Sequence, residues 1–201
     1  PGAIGGAICG NAGAFGQNIG QVVTEVKIFK TPPFPPITKG GLGGVKICQL
    51  NNLSCQFGYR DSIFKKHKNW IILSAKFQLK KDFADHCQKR LKEFLQNKIA
   101  SQPIGEKSAG SIFKNYEITD QQELKNIAAK LKIENCKLKI NKSIPAWRLI
   151  KQAGLAGFKI GGAQVSQKHA NFIINTGQAT AEDFIILISL IKQKVRNKFG
   201  I

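Results

Sequence analysis

The order in which hydrophobic periods follow one another constrains this chain most. Val22 to Lys30 reads Val-Val-Thr-Glu-Val-Lys-Ile-Phe-Lys, and its β-branched content predicts a strand. Val45 to Leu50 predicts a second strand, and Thr31 to Gly44 between them carries four prolines and four glycines, the composition of a surface loop. The two runs together predict a hairpin with a long loop. Trp70 to Leu79 predicts a third strand, with apolar residues dense enough to be buried. Only then does the period turn helical. From Asp82 to Lys98, Phe83, Cys87, Leu91, Phe94 and Leu95 share one face, while Lys89, Arg90 and Lys92 line a solvated one. Doubly wound sheets alternate strand and helix throughout. Strand, long loop, strand, strand and then helix predicts α+β.

The second half repeats the mixture. Asp120 to Leu131 predicts a polar helix, and Lys137 to Ile140 a short strand. Pro145 to Gly154 predicts a short helix with Pro in its first turn and Gly at its end. Phe158 to Gln164 and Ala170 to Asn175 read as strands around a turn. Thr180-Ala-Glu-Asp183 opens a last helix with a capping-box pattern. Its acids sit at the positive end, and Lys192, Lys194, Arg196 and Lys198 near the negative end, as the macrodipole favours. A composition shift near Ser101 marks the expected domain boundary.

Composition narrows the function. The 201 residues have room for one large or two small domains. The longest apolar stretch, Phe184 to Leu190, is far too short to span a bilayer, and no signal peptide opens the chain, so the expectation is a cytoplasmic protein without membrane insertion. The first residue is Pro1 and no methionine occurs, so a fragment or a processed chain is expected. Five cysteines, an odd number without CxxC spacing, argue for a reducing compartment and against a disulfide framework. With three scattered histidines, no metal site is expected. The formal charge of +19 is the extreme value. A basic nucleic-acid-binding module would account for it. Aromatics are not interleaved with the cations as in a stacking platform, however, and the reading preferred is a Lys-rich composition around an anionic small-molecule site.

Three stretches carry candidate chemistry. Ser108-Ala-Gly-Ser-Ile-Phe-Lys-Asn115 presents a hydroxyl, Ser111, after a small-residue turn through which backbone can approach a ligand. Strand alternation would then place Ser111, Phe113 and Asn115 on one face and Ile112 and Lys114 on the other. Tyr59-Arg60-Asp61-Ser62 packs a phenol, a guanidinium, a carboxylate and a hydroxyl together. Held by Asp61, the Arg60 fork could face an anion; equally, the four residues form a surface turn with a local ion pair. The glycine-dense opening contains Gly5-Gly6-Ala7 and Asn11-Ala12-Gly13-Ala14-Phe15-Gly16, read as tight turns. Such turns expose backbone N–H groups that cradle phosphates, or they let two strands pack closely.

These pieces, in order, carry a resemblance. Pro1-Gly-x-Ile-Gly-Gly-Ala7, Asn11-Ala-Gly-Ala-Phe-Gly16, Phe57-Gly-Tyr-Arg-Asp-Ser-Ile-Phe-Lys65, Gln102-Pro-x-Gly-x-x-Ser-Ala-Gly-Ser-Ile-Phe-Lys-Asn115, Gln152-Ala-Gly-Leu-x-Gly-Phe-Lys-Ile-Gly-Gly-Ala-Gln-Val-Ser166 and His169-Ala-Asn-Phe-Ile-Ile-Asn175 together resemble the MurB family, the UDP-N-acetylenolpyruvoylglucosamine reductases of peptidoglycan precursor synthesis. The resemblance implies that residues 1–98 form the second part of a vanillyl-alcohol-oxidase-type FAD-binding domain and residues 99–201 an α+β substrate-binding domain. The 50 residues between Arg60 and Ser111 resemble the shorter type II form. It further implies FAD as cofactor, NADPH as reductant, and a UDP-sugar enolpyruvyl ether as substrate, in a monomer that binds no nucleic acid. Ser111 matches the family's proton donor, and Arg60 the arginine that stabilises the enolate-like intermediate. Gly2, Ala3, Ile4, Gly5, Gly6, Ala7, Asn11, Ala12, Gly13 and Tyr59 match positions along FAD. Lys114 and Asn115 match substrate-binding positions, and Lys98 does so loosely.

The chain also departs from the family pattern. The family's N-terminal FAD-binding portion and a catalytic glutamate beyond the final Phe-Gly-Ile have no counterpart here, so the polypeptide is not expected to turn over alone. Tyr116 stands where proline is usual, Lys151 where glutamate is common, and residues 120–143 read as an insertion. The other classes open to the chain are the basic nucleic-acid-binding module and a flavoprotein of the same FAD-binding type with a different substrate.

Overall fold

The computed structural model describes residues 2–30, 46–131 and 143–201. The expected 31–44 loop, Val45, Cys136 and the expected 137–140 strand lie outside the described residues. The chain divides into two compact units, Pro1–Lys89 and Arg90–Ile201. Among the described residues, no helix is long and apolar enough to cross a membrane.

The first unit starts with a helix, not the tight turn expected at Gly5-Gly6-Ala7: α1 covers Ile4–Cys9. Two short strands, β1 (Gly13–Ala14) and β2 (Gln17–Asn18), follow as a hairpin. A Cβ on Gly13 would lie 2.3 Å from the Gln17 carbonyl oxygen, so this close pairing requires glycine. Next come β3 (Val23–Lys30), β4 (Lys46–Asn51), α2 (Ile63–Lys66) and β5 (Trp70–Phe77). The three longer strands form one antiparallel sheet in the order β4-β3-β5. Central β3 supplies Val23, Val26 and Ile28 to a core closed by Ile8, Cys55 and Phe64. Lys27 alternates outward.

Two sequence expectations change here. β5 buries none of its residues: Ile71 is 54 % and Leu73 49 % exposed, while Ile72 and Ala75 pack on the core. As an edge strand covered on one face, it can bury only alternate positions, whatever its composition. Helix α3 (Ala84–Ser101) carries the expected apolar stripe but has no buried residue; Phe83, just before it, is 77 % exposed and Leu91 67 %. Period gives a helix an apolar face, but burial needs a surface against that face.

The second unit is built on a four-stranded antiparallel sheet in the order β6-β11-β10-β9. Its strands are β6 (Lys107–Ser111), β9 (Lys159–Ile160), β10 (Ala163–Val165) and β11 (Phe172–Asn175). Between β6 and β9 lie β7 (Tyr116–Glu117), α4 (Gln121–Lys130), β8 (Ser143–Ile144) and α5 (Ala146–Gln152), with β7 paired to β8. The sheet and helix α6 (Ala181–Phe199) enclose Ile150, Leu155, Val165, Ile173, Leu187 and Ile191. A second cluster joins Ile118 and Ile127 to Ile144, Leu149 and Phe199.

The expected capping box of Thr180 and Asp183 is present, and α4 has a cap of its own, Asp120 accepting from the Glu123 amide. The expected single strand from Phe158 to Gln164 is instead the β9–β10 hairpin, turning at Gly161-Gly162. Gly161 has φ +53°, and a Cβ there would lie 2.2 Å from the Asp183 carboxylate. That carboxylate accepts from the Gly162 amide at 3.1 Å, so the glycines bring the hairpin onto the start of α6.

Candidate active site

Ser111 is the last residue of edge strand β6 and is exposed. It stands opposite Phe172 of β11, one residue after Gly110, whose φ of +89° an L side chain rarely adopts. The strand stops there, which corrects the expected alternation beyond Ser111. Ile112 and Phe113, adjacent in sequence, both pack against the sheet–helix core.

A buried asparagine shapes this departure. Asn171, 4 % exposed, accepts the Ile112 N–H on its backbone carbonyl at 2.9 Å. Its side-chain oxygen accepts the Phe113 N–H at 3.0 Å, and its side-chain nitrogen donates to the Phe113 carbonyl at 2.9 Å. Further along, the Asn115 side-chain oxygen accepts the Ala146 N–H at 3.2 Å, tying the stretch to the start of α5.

A row of rings borders Ser111. Phe172 meets His169 edge-to-face at 4.8 Å, and His169 lies 6.2 Å from Trp147. His169 Nδ1 accepts the Asn171 N–H at 3.3 Å, which assigns the proton of the neutral ring to Nε2. Burial holds its pKa below the ordinary histidine value, partly opposed by a backbone hydrogen bond.

Lys114 is exposed and lines a cavity of about 340 Å³ with Asn115, Lys192, Arg196 and an apolar wall that includes Leu149 and Ile191. The lining is mostly apolar, with three cations and no acidic side chain, which suits a ligand that joins an apolar body to an anionic group. Tyr116 also lines it, but its hydroxyl donates to Glu123, which pushes the phenol up to about 12. Lys98 is an exposed residue in the last turn of α3. That turn is fixed through Ile99, whose carbonyl accepts Lys168 Nζ at 2.6 Å.

Arg60 belongs to the first unit. It sits in the turn closed by Gly58 and Asp61, with φ +54°. The side chain is not held by Asp61 as expected: Nη2 donates to the Gly13 carbonyl at 2.6 Å, and the guanidinium lies 5.7 Å from the Tyr59 ring centroid. The turn itself rests on Asn11. This residue, 4 % exposed and at φ 42°, donates to the Gly58 carbonyl at 2.7 Å and accepts the Gly20 N–H at 2.9 Å. Ser62, also buried, donates to the Cys9 carbonyl at 2.6 Å. Gly2 and Gly6 have nothing within 4 Å of where a Cβ would stand, so the surface at the start of α1 is open backbone. Ala3 and Ile4 are exposed there, and Ala12 and Tyr59 are exposed as well. Among the described residues, no cluster of three or more His, Cys, Asp or Glu could hold a metal ion.

Sequence reasoning named Ser111, Lys114 and Asn115, neighbours in one stretch of chain that the fold leaves at a sheet edge and a cavity wall. It gave no site role to Asn171, His169, Trp147, Lys192 or Arg196. Asn171 had a legible signal, a lone amide inside the apolar run Ala170–Ile174. Lys192 and Arg196 had none, because i,i+4 cations on a terminal helix are normally solvated.

The fold is thus α+β, with a serine at a sheet edge and a mostly apolar cavity bearing three cations in the following segment. Residues 102–201 match the family model described as UDP-N-acetylenolpyruvoylglucosamine reductase, C-terminal domain. Over all 201 residues the chain is 40 % identical to a UDP-N-acetylenolpyruvoylglucosamine reductase from Carboxydothermus hydrogenoformans, spanning 54 % of that relative. It is 34 % identical to one from a Thermotoga species, again over 54 % of the relative. The crystal structure of UDP-N-acetylenolpyruvylglucosamine reductase (MurB) from Thermus caldophilus superposes with a TM-score of 0.66 at 26 % identity, covering 94 % of this chain and 56 % of that one. The chain belongs to the MurB family of UDP-N-acetylenolpyruvoylglucosamine reductases. It spans about half the length of the curated relatives it matches.

Proposed function

We propose that this chain carries the substrate-binding part and much of the catalytic part of an NADPH-dependent flavoenzyme. The reaction is reduction of UDP-N-acetylglucosamine enolpyruvate to UDP-N-acetylmuramate in peptidoglycan precursor synthesis. In this reading residues 1–98 contribute to an FAD site and residues 99–201 bind the substrate. The observation that carries it is the placement of Ser111: exposed, at the end of an edge strand, on backbone fixed from one side by Phe172 and from the other by Asn171.

The roles follow from chemistry. Ser111 donates the proton that completes reduction of the enolpyruvyl carbon–carbon double bond. A serine hydroxyl is a weak acid, so the acceptor carbon must carry developing negative charge. Arg60, oriented by Gly13 with one of its five N–H donors, supplies positive charge for that stage. Lys114, Lys192 and Arg196 attract the anionic substrate, and Asn115 fixes the start of α5 beside them. Lys98 adds a further cation.

FAD, when bound, supplies the hydride that NADPH has given it. The residues fit such a group: Gly2 and Gly6, with exposed Ala3 and Ile4 and partly exposed Gly5 and Ala7, leave backbone open to a large planar ligand, and Tyr59 offers a ring. Asn11 and Gly13 contribute by shaping that region, since the Asn11 side chain is spent on Gly58 and Gly20. Ala12 holds it through the Ile19 amide, which donates to its carbonyl.

The test is made on the full-length gene product. Its visible absorption is recorded, and NADPH oxidation is followed with and without the enolpyruvyl substrate. The expected result is a flavin spectrum and substrate-dependent NADPH consumption that falls by at least about a hundred-fold in Ser111→Ala. The fold should hold in that variant, because the side chain is exposed. A colourless protein, or a Ser111→Ala variant with undiminished turnover, refutes the reading.

A further inference from the structure

The exposed hydroxyl of Ser111 has no packing of its own to hold it, yet proton donation demands placement within a fraction of an ångström. The segment that carries it loses its strand partner at the point where placement matters. The β11–β6 ladder is irregular between Phe172 and Ile174 and ends at the Ser111–Phe172 pair. One more backbone bond, Ile112 N–H to the Asn171 carbonyl, extends it. Beyond that, the Asn171 side chain does what a neighbouring strand would do. Its amide has one carbonyl and one NH2, the same donor and acceptor as a peptide unit. Both are used on a single residue, with the oxygen taking the Phe113 N–H at 3.0 Å and the nitrogen giving to the Phe113 carbonyl at 2.9 Å. Two antiparallel bonds fix rotation as well as position, which one bond does not.

Asn171 is itself held. It is 4 % exposed, its own N–H goes to His169 Nδ1, and it lies between core residues Ala170 and Phe172. No other residue type makes the same pair of bonds here. Aspartate lacks the donor, leucine lacks both groups, and glutamine is a methylene longer.

We propose that Asn171 is the positioning residue of the proposed proton donor: its buried amide sets the path of residues 111–115 by replacing a strand at Phe113, and so places the Ser111 hydroxyl and the Lys114–Asn115 pair together. This rests on the reading of Ser111 as proton donor, and the experiment separates the two.

In the full-length protein, Asn171→Leu and Asn171→Asp are compared with wild type by amide hydrogen exchange and by steady-state kinetics. The clamp requires faster exchange at Phe113, by about ten-fold for loss of one net hydrogen bond, while amides of β10 and α6 keep their protection. Displacing the segment is expected to lower kcat by up to about a hundred-fold, since the hydroxyl acts in the transition state, and to raise KM as well, since Lys114 and Asn115 move with it. NADPH-driven reduction of the bound flavin without substrate should be unchanged. Asn171→Asp, isosteric, keeps the Phe113 N–H bond but sets an oxygen against the Phe113 carbonyl, so it too should loosen the segment, and it serves where Asn171→Leu fails to fold. Unchanged Phe113 exchange in a folded variant overturns the clamp. Faster exchange with kcat retained in an active enzyme overturns its role in positioning. A wild-type protein without reductase activity refutes the proposed function, and the exchange arm still decides whether the clamp exists.

Discussion

Replacing Asn11 by alanine tests how the Arg60 turn is held. Asn11 makes two side-chain bonds, to the Gly58 carbonyl at 2.7 Å and from the Gly20 N–H at 2.9 Å, and it does so at 4 % exposure. Gly20 is buried, so truncation leaves its N–H without a partner away from water, a cost of about 1–3 kcal/mol. Asn11 also has φ 42°, where asparagine is tolerated and alanine adds about 1 kcal/mol. The sum is about 3 kcal/mol, a large share of the roughly 5–15 kcal/mol that hold a domain together. Asn11→Gly loses the same two bonds without the left-handed penalty, so it is expected to be about 1 kcal/mol less damaging than Asn11→Ala. Urea denaturation reads this directly. Of the two tryptophans, Trp70 lies in the first unit, stacked on His67 at 4.0 Å and under Lys30 at 4.2 Å, so in a Trp147→Phe background its fluorescence reports that unit alone. An Asn11→Ala variant within about 0.5 kcal/mol of wild type, or an Asn11→Gly variant less stable than Asn11→Ala, would refute this account.

His169 makes stability depend on pH. Burial lowers its native pKa, so the unfolded chain binds the proton first as pH falls below the ordinary value of 6.5. Stability is therefore complete above that value and lost as pH drops through it toward the native pKa. The slope should be well below the single-proton ceiling of about 1.4 kcal/mol per pH unit, because the ring is only half-buried; denaturant midpoints from pH 7 to 5 should fall in wild type and flatten in His169→Gln. Arg60→Gly relieves a left-handed backbone but removes the bond to Gly13, two effects of about 1 kcal/mol each that nearly cancel. Its midpoint should stay near wild type while turnover falls by at least about a hundred-fold, and equal losses in both would assign Arg60 to structure alone.

The local rules were readable residue by residue. Val26 and Ile28 face the core and Lys27 faces out because a strand alternates. Thr180 and Asp183 cap α6 because their side chains reach orphan amides. The glycine-dense opening was readable only in part. It misled at Ile4–Cys9, where α1 forms despite Gly5 and Gly6, since glycine weakens a helix without forbidding one. The Gly161-Gly162 pair was read as strand because flanking apolar residues set the period. The turn is instead set by Asp183, a partner 22 residues beyond Gly161, where a Cβ would collide.

The sequence by itself determined the alternation of periods, the α+β class, the caps, and the motifs that mark Ser111, Arg60, Lys114 and Asn115. These depend on neighbours within a turn or a strand, and their signals lie within a few residues of one another. Tertiary structure alone decided which apolar faces are buried, as β5 and α3 show, and which polar group meets which. Arg60 turns to Gly13 rather than to the adjacent Asp61, and Phe113 is held by an amide 58 residues away. The reason is the same in each case. A buried donor or acceptor must find a partner wherever the fold places one, and for a long-range pair that place is set by the packing of other elements, which no local pattern encodes.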